Sequence, residues 1–423
     1  MRILVVGSGG REHALCRTFK NSAKAAKIFC ADGNAGIAQI AECVAIKPHE
    51  IERLAEFAAE NQIDLTFVGG ETSLALGIVD EFEKRNLKII GVNQQAARLE
   101  ASKSFAKDFM ARHRIPTAEY RTADSPREAI EILESGKFGD ENSPVVVKAD
   151  GLAAGKGVIV AENRRQAAQA INDLENLVGK EAVEKIVLEE CLIGREVSLL
   201  MFADGDNFAL MPPVRDHKRI FENDEGANTG GMGTITGAEL LSVAELAKII
   251  EEVIKPTLEG CRAENFPFRG ILFLGLMMTK TGAKVLEYNV RFGDPETQAI
   301  LVRLQTDLVE ICEAMLNQTL DKINIEWQTG SSACVVLASK GYPNKPETGD
   351  IIRGLDADFA DVNVFHAGTA KDADENFITV GGRVLGITGN GENLDEALEK
   401  AYRAVSKISW NGMQFRRDIG RTN

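Results

Sequence analysis

Two lysines flank a glycine-rich loop at residues 145–157, which read VVVKADGLAAGKG. The apolar run 145–147 has the composition of a strand and delivers Lys148. Gly151, Gly155 and Gly157 then surround a second lysine, Lys156. Glycines let backbone N–H groups turn toward an anion with no side chain in the way, and two ammonium groups beside them suit a polyphosphate. No Gly-Lys-Ser/Thr opens a helix here, so the loop is not the P-loop pattern. An ordinary surface loop with solvated lysines has the same composition, and a second cluster shifts the balance. Residues 285–298 read VLEYNVRFGDPETQ. In a strand, Glu287, Asn289 and Arg291 share one face, and Leu286, Tyr288 and Val290 take the other. A carboxylate and an amide oxygen on one face can hold a hard cation such as Mg2+. Arg291 adds a fixed positive charge for a transferring phosphoryl group. The turn that follows carries Asp294 and Glu296. A lysine-glycine loop plus a distant Glu-x-Asn strand fits an ATP site better than either piece alone.

The elements that position these groups can be read from the hydrophobic pattern. Residues 2–6, 28–30, 65–68 and 88–90 read as strands, and 12–20, 51–60 and 74–85 as helices. Such alternation predicts a parallel sheet covered by helices, with its ligand site at the carboxyl ends of the strands. Glycine turns at residues 7–10, 33–36 and 69–70 occupy those ends. A helix over 103–112 is expected to stop before Ile115-Pro116, because the residue before proline avoids helical geometry. An amphipathic helix is expected near 165–177, a strand over 186–190, short strands at 333–338 and 383–388, and a last helix near 394–408.

Composition bounds the class. The 423 residues suffice for two to four domains. The net charge of −14, from 49 basic and 63 acidic residues, argues against a nonspecific nucleic-acid binder. No apolar run approaches the ~18 residues of a membrane span, and MRILVVGSGG reads as a strand entering a glycine turn rather than a signal peptide. The seven cysteines are scattered without C-x-x-C spacing and read as reduced thiols of a cytoplasmic protein. None of the five histidines shows the i, i+4 pairing of a helical metal site.

The segments VVGSGGREHAL (5–15), DGNAG (32–36), LEASKSFAKDFMARHRIPTA (99–118), KADGLAAGKGV (148–158), DHKR (216–219), NTGGMG (228–233), NVRFGDPETQ (289–298), LASKGYP (337–343), FHAGT (365–369), GGRVLGIT (381–388) and RRDIG (416–420) carry a family resemblance. The chain resembles the glycinamide ribonucleotide synthetases (phosphoribosylamine–glycine ligases) of the ATP-grasp superfamily. The resemblance runs almost end to end, and NTGGMG with NVRFGDPETQ is its most specific part. It implies a multidomain α/β fold. An N-terminal parallel-sheet (pre-ATP-grasp) domain would span 1–102. An ATP-grasp core would span 103–325, with a small lid subdomain at about 118–190. A C-terminal α+β domain would take 326–423.

The resemblance also implies roles for residues. Lys103, Lys148, Lys156 and Gly155 would serve the ATP phosphates, and Glu189, Glu190, Leu192 and Glu196 the adenine and ribose end. Glu287 and Asn289 would hold Mg2+ or Mn2+. Gly9, Gly10, Arg11 and Asn34 would hold the phosphoribosyl end of 5-phosphoribosylamine. Asp216 and Asp294 would contact the glycine amino group, with Lys218 beside them and Arg291 on carboxylate or phosphoryl oxygens. The implied partners are glycine, 5-phosphoribosylamine and ATP, with no nucleic acid and no membrane. The implied reaction is ATP-driven amide formation through glycyl phosphate, in purine biosynthesis. Three other readings stay open: a different ATP-grasp carboxylate–amine ligase, a nucleotide-binding module without activity, and a dinucleotide oxidoreductase. The last would use Gly7-x-Gly9 as the start of G-x-G-x-x-G, but Glu12 stands at the third glycine position.

Overall fold

A computed structural model describes residues 1–151, 157–179 and 184–421. Gly155 and Lys156 lie outside the described residues. The chain begins with five parallel strands: β1 (Arg2–Gly7), β2 (Lys27–Asp32), β3 (Glu42–Val44), β4 (Leu65–Val68) and β5 (Ile89–Ile90), in the order β3-β2-β1-β4-β5. Ile3, Leu4, Val5 and Val6 of the central strand are wholly buried, as a strand covered by helices on both faces requires. Two details depart from the sequence pattern. The edge strand β3 was not anticipated, because three residues are too few to show a period. The helix expected over 74–85 is two helices, Glu71–Ala75 and Ile78–Lys84. Gly77 takes the left-handed conformation between them (φ +86°) and donates its N–H to the Leu74 carbonyl, which ends the first helix after little more than a turn.

Ser102 is the pivot into the next layer. It ends the helix Gln94–Ala101 and caps the helix Lys103–Arg112, its hydroxyl accepting the Phe105 N–H. Four strands then form a small antiparallel sheet in the order β6-β9-β7-β8: β6 (Tyr120–Ala123), β7 (Val145–Ala149), β8 (Val158–Ala161) and β9 (Ile186–Glu190). The helix Pro126–Glu134 connects β6 to β7, and the helix Arg164–Val178 connects β8 to β9. Its core is separate from the others and includes Leu133, Val147, Ile171, Leu174 and Leu188.

The largest sheet spans much of the remaining chain. Its strands are β10 (Arg195–Asp204), β11 (Phe208–Leu210), β12 (Val214–Asp216), β15 (Gly233–Thr236), β16 (Arg269–Thr279), β17 (Gly282–Asn289), β18 (Ser331–Ala338), β19 (Val362–His366) and β22 (Arg383–Gly391). They run in the order β17-β16-β10-β12-β15-β18-β22-β19, with β11 beside β10. The hairpins β13 (Arg219–Phe221) with β14 (Glu225–Asn228), and β20 (Thr369–Lys371) with β21 (Phe377–Thr379), stand off it. The helix Leu394–Val405 covers the β18–β22 side through Ala397, Leu398 and Ala401.

The alternation expected in β17 holds only beyond Leu286. Register slips there, so that Val285 pairs with Leu276 while Glu287 pairs with the adjacent Gly275. This bulge leaves Leu286 and Glu287 both half-buried, and Tyr288, Val290 and Phe292 then take the buried face. Glu287, Asn289 and Arg291 therefore do share the accessible face, but Leu286 does not join the opposite one.

Three histidines from the matching motifs are buried and structural. His217 bonds the Gly233 carbonyl through Nδ1 at 3.0 Å and accepts the Gly420 N–H through Nε2 at 3.0 Å. His13 Nδ1 accepts the His366 N–H at 2.8 Å. Burial pushes His13 down to about 3, and His217 and His366 to about 4. A histidine whose folded pKa is lowered is held neutral. Its contribution is complete above the ordinary value of about 6.5 and is lost as pH falls toward the folded value. The thermal midpoint should therefore fall as pH drops from 6.5 to 4. His217→Gln keeps an acceptor for Gly420 but cannot titrate, so its decline over that range should be shallower by roughly one proton's worth, about 1.4 kcal/mol per pH unit. Scanning calorimetry of both proteins across pH 4–7 checks this, and parallel profiles would contradict it.

Candidate active site

The helix Lys103–Arg112 and the small sheet bring three lysines to one wall. The Asp150 carboxylate, at the exit of β7, accepts the Ser104 N–H at 2.6 Å, and the Lys103 N–H bonds the Asp150 carbonyl at 3.2 Å. This ties the start of the helix to the end of the strand that carries Lys148. Lys107 lies one turn beyond Lys103. Its ammonium is 2.9 Å from Glu189 Oε2, while Lys148 is 2.8 Å from Glu189 Oε1. These three side chains are between 2% and 6% exposed. The Glu189 carboxylate thus serves as counter-ion to two lysines and does not face open solvent. Burial pushes Lys107 down to about 8 against the pull of Glu189. Sequence reasoning passed over Lys107, although its i, i+4 spacing from Lys103 on one helix face was available as a signal. Lys148 also donates to the Leu286 carbonyl at 3.1 Å, so the bulge in β17 supplies an acceptor at this wall.

Glu190 turns away from the lysines. Its carboxylate accepts the Glu119 N–H at 3.0 Å and pairs with Lys284 at 2.9 Å. Leu192 lies in the connection between β9 and β10. Glu196, at the start of β10, is half exposed and pairs with Lys218 at 3.3 Å.

The opposite wall is the accessible face of β17 and its exit. Burial alone would raise the Glu287 carboxyl, but the surrounding Lys218, Lys148 and Lys103 hold it below the usual carboxylate range. The donors of Arg291 are engaged on several sides: Glu71 at 3.1 Å, Glu100 at 2.7 Å, the Asn289 side-chain oxygen at 3.1 Å and the Phe292 carbonyl at 3.1 Å. Glu71 opens a short helix on the N-terminal sheet. Against burial, Arg291 and then Arg11 draw it down to about 2. Glu100 is shifted up by burial despite Arg291, and also accepts the Val290 N–H at 2.8 Å. Glu287 and Asn289 present a charged and a neutral oxygen two residues apart. Among the described residues no cluster of three or more His, Cys, Asp or Glu forms a metal cage. Two protein oxygens with the remaining ligands left to phosphate and water fit Mg2+ better than Ca2+ or zinc.

A third group closes the end of the cleft. Asp216 ends β12, and enclosure followed by the nearby Glu296 pushes its carboxyl well above the usual range. Lys218 is shifted up, first by Glu196. The glycine segment between β14 and β15 passes against both. A side chain at Gly231 (φ +109°) would place its Cβ 2.5 Å from Pro295 Cδ and 2.7 Å from Asp216 Oδ1, so only glycine fits. Asp294 lies beside the N-terminal glycine turn, where a Cβ on Gly9 would come within 3.2 Å of its Oδ2. Gly10 begins the helix Gly10–Lys20, and Arg11 donates to the Phe292 carbonyl at 3.1 Å. The Asn34 amide joins Ser8 (2.8 Å) to His366 (2.9 Å) through their carbonyls, so its side chain braces the turn.

Glu12 decides against the dinucleotide reading. Its carboxylate accepts the Gly9 N–H at 2.6 Å and pairs with Arg11 at 2.6 Å. It fills the space between the turn and Gly69, where an added Cβ would meet Glu12 Oε1 at 2.1 Å. A glycine at this position would leave room for a dinucleotide's pyrophosphate against the turn, and the Glu12 side chain fills that room.

Comparisons with known proteins agree along the whole chain. Three family models match: phosphoribosylglycinamide synthetase N domain over residues 1–100, its ATP-grasp (A) domain over 101–297, and its C domain over 332–422. A phosphoribosylamine–glycine ligase of Caldanaerobacter subterraneus is 45% identical over 420 residues, covering 99% of each chain. One from Pseudomonas aeruginosa is 46% identical over 426 residues, covering 99% of this chain and 97% of its own. A solved structure of phosphoribosylamine–glycine ligase from Thermotoga maritima superposes with a TM-score of 0.85 at 34% identity, covering 99% of this chain and all of that one. A biotin carboxylase domain from Hydrogenobacter thermophilus, bound to MgADP, has a TM-score of 0.74 at 15% identity over 98% of this chain and 91% of its own, a likeness of fold alone. With all three of its domain models matched and its relatives aligned from end to end, the chain belongs to the phosphoribosylglycinamide synthetase family.

Proposed function

We propose that the cleft joins glycine to 5-phosphoribosylamine in two steps, through glycyl phosphate. The chain is an ATP-dependent carbon–nitrogen ligase of purine biosynthesis, as its family membership states. What remains to be assigned is which of its groups do what. The observation that carries the assignment is the placement of Lys148, 2.8 Å from Glu189 and 3.1 Å from the Leu286 carbonyl beside Glu287, whose carboxyl Lys218, Lys148 and Lys103 hold below the usual range against burial.

Forming an amide from a carboxylate in water is uphill, so ATP has to enter through a shared intermediate. In the first step a carboxylate oxygen of glycine attacks the γ-phosphorus and ADP leaves. In the second, the amine of 5-phosphoribosylamine attacks the acyl carbon and phosphate departs. Catalysis of this kind is positioning and charge neutralisation, with no covalent enzyme intermediate. Lys103 and Lys148 neutralise phosphates, and we extend that role to Lys156 on sequence grounds. When bound between Glu287 and Asn289, Mg2+ or Mn2+ would supply charge neutralisation at the phosphate oxygens. Arg291, oriented by Glu71 and Glu100, presents a fixed guanidinium beside them. Asp216 and Asp294 receive the glycine ammonium. The backbone of the β9 exit, from Glu189 to Leu192, takes the adenine edge, and Glu196 the ribose hydroxyls. Gly9, Gly10 and Arg11 take the phosphoribosyl end on the turn that Asn34 braces. Among the described residues no helix is long and apolar enough to cross a membrane, which fits a cytoplasmic enzyme working on small polar substrates.

ADP release that depends on both glycine and 5-phosphoribosylamine, followed with a coupled assay, tests the reading. Release with an alternative amine at equal efficiency would favour a different carboxylate–amine ligase.

Two outcomes follow. Glu287→Gln keeps the shape but removes the charge, so turnover should drop on the order of 10²-fold, the scale of losing one group that stabilises developing charge. The Mg2+ concentration for half-maximal rate should rise, while the melting temperature stays close to that of the parent. Titrating activity against Mg2+ checks this, and an unchanged Mg2+ dependence would remove Glu287 from the metal. The second concerns the order of bonds. Glycine labelled with oxygen-18 in its carboxylate should deliver one label to the released phosphate, read by mass spectrometry. Unlabelled phosphate during full turnover would exclude glycyl phosphate.

A further inference from the structure

Several motifs of the C-terminal segment have no place in the scheme above, and GGRVLGIT contributes one residue that bonds Asp294 directly. Arg383, the first residue of β22, extends toward β17's exit turn. Its Nη1 donates to the Gly230 carbonyl and, at 2.6 Å, to the Asp294 carbonyl. Its Nη2 lies 3.2 Å from Asp294 Oδ2. Both side chains are largely enclosed, 22% exposed for Arg383 and 18% for Asp294. The far side of the Asp294 carboxylate is also fixed, because Gln298 Nε2 donates to Oδ1 at 2.8 Å. Tyr342, from LASKGYP, accepts the Gly230 N–H at 3.0 Å. Arg383 and Tyr342 thus clasp Gly230 from its two sides, on the segment whose next residue touches Asp216.

We propose that Arg383 is a positioning residue for glycine, acting through Asp294: it fixes the carboxylate that receives the substrate ammonium and joins it to the Gly230–Gly231 backbone. The inference rests on the ligase reading and adds the C-terminal segment to its glycine site. Three features support it. A guanidinium bridging a carboxylate and that residue's own carbonyl fixes the side chain in two places. Enclosure would raise the Asp294 carboxyl, yet Arg383 first and Arg11 next hold it below the usual carboxylate range, so it is an anion ready for an ammonium. The neighbouring Asp216 is shifted the other way, which makes Asp294 the stronger ammonium acceptor of the two. Among the described residues the side-chain hydrogen bonds and ion pairs of Arg383 and Tyr342 go to Gly230 and Asp294 and none to Glu287 or Lys148, so the effect belongs to glycine and not to ATP.

The test traps the first half-reaction. The full-length protein, ATP, Mg2+, glycine and hydroxylamine, with no phosphoribosylamine, should yield glycyl hydroxamate. Arg383→Met should raise the KM for glycine tenfold or more while the KM for ATP stays within twofold. Arg383→Lys, which restores charge without the fork, should recover part of the loss. Against Asp294→Asn, the further change Arg383→Met should alter glycine KM by less than twofold, because the group through which it acts is gone. An unchanged glycine KM, a fall in kcat alone, or an equal effect in both backgrounds would overturn the proposal. A melting curve accompanies each variant. If Arg383→Met does not fold, the same comparison is made with Arg383→Lys, which keeps the charge and should raise the glycine KM in the same direction by less. A parent protein that releases no ADP from glycine and ATP with either hydroxylamine or 5-phosphoribosylamine would instead refute the ligase reading itself.

Discussion

The Arg291 guanidinium is the contact on which the cleft depends. It takes Glu71 from the N-terminal sheet, Glu100 from the helix that leaves that sheet, and Asn289 from its own strand. A buried charge without partners is not tolerated, and deleting one partner of such a pair costs about 3–5 kcal/mol. The arginine therefore cannot keep its position unless two separate parts of the chain keep theirs. The adjacent Phe292 extends the same junction in apolar form, stacked on Phe67 at 5.9 Å and edge-on to Phe202 at 6.1 Å. Charge and packing thus agree on one geometry for the place where the N-terminal sheet meets the large sheet.

A second constraint is the concentration of like charge. Lys103, Lys107 and Lys148 stand on one wall, and Glu189, Glu287, Asp150 and Glu100 oppose them. Lys148 rests on Glu189 and the Leu286 carbonyl. That arrangement is satisfied but replaceable, since a phosphate oxygen can take up the same ammonium. Asp216 and Glu296 mirror this at the other end, where burial first raises both carboxyls, Glu296 adds to it at Asp216 and Asp294 at Glu296, and Lys218, Arg383 and Arg291 limit the effect.

Much of this was legible in the chain. The apolar strands of the N-terminal sheet, the helix over 103–112 and the polar face of residues 287–291 follow from period and residue type, and the family motifs carried the rest of the fold. What escaped was of two physical kinds. Local backbone choices escaped because a single residue makes them: Gly77 splits a helix that periodicity joins, and the Leu286 bulge resets the phase of a strand. Partnerships distant in sequence escaped because no local pattern encodes them. Lys107 with Glu189, Arg291 with Glu71, and Arg383 with Asp294 are 82, 220 and 89 residues apart. The DHKR and RRDIG motifs belong to the same kind: the wholly buried Arg416 donates to the Arg219 carbonyl and pairs with Asp224, and the Gly420 N–H reaches His217.

The large sheet has a consequence for how the chain must be made. β15 pairs with β12 on one edge, but its other edge is closed only by β18, which lies about a hundred residues later and itself pairs with β22. During synthesis, therefore, the wall of the cleft exists with an open row of backbone N–H and C=O groups until residues 331–391 have emerged. Such an edge is a template for another chain. The C-terminal segment is accordingly no appendage to the catalytic layers. It is the strand pair that completes them, and a messenger truncated before it would yield a sticky fragment rather than a smaller enzyme.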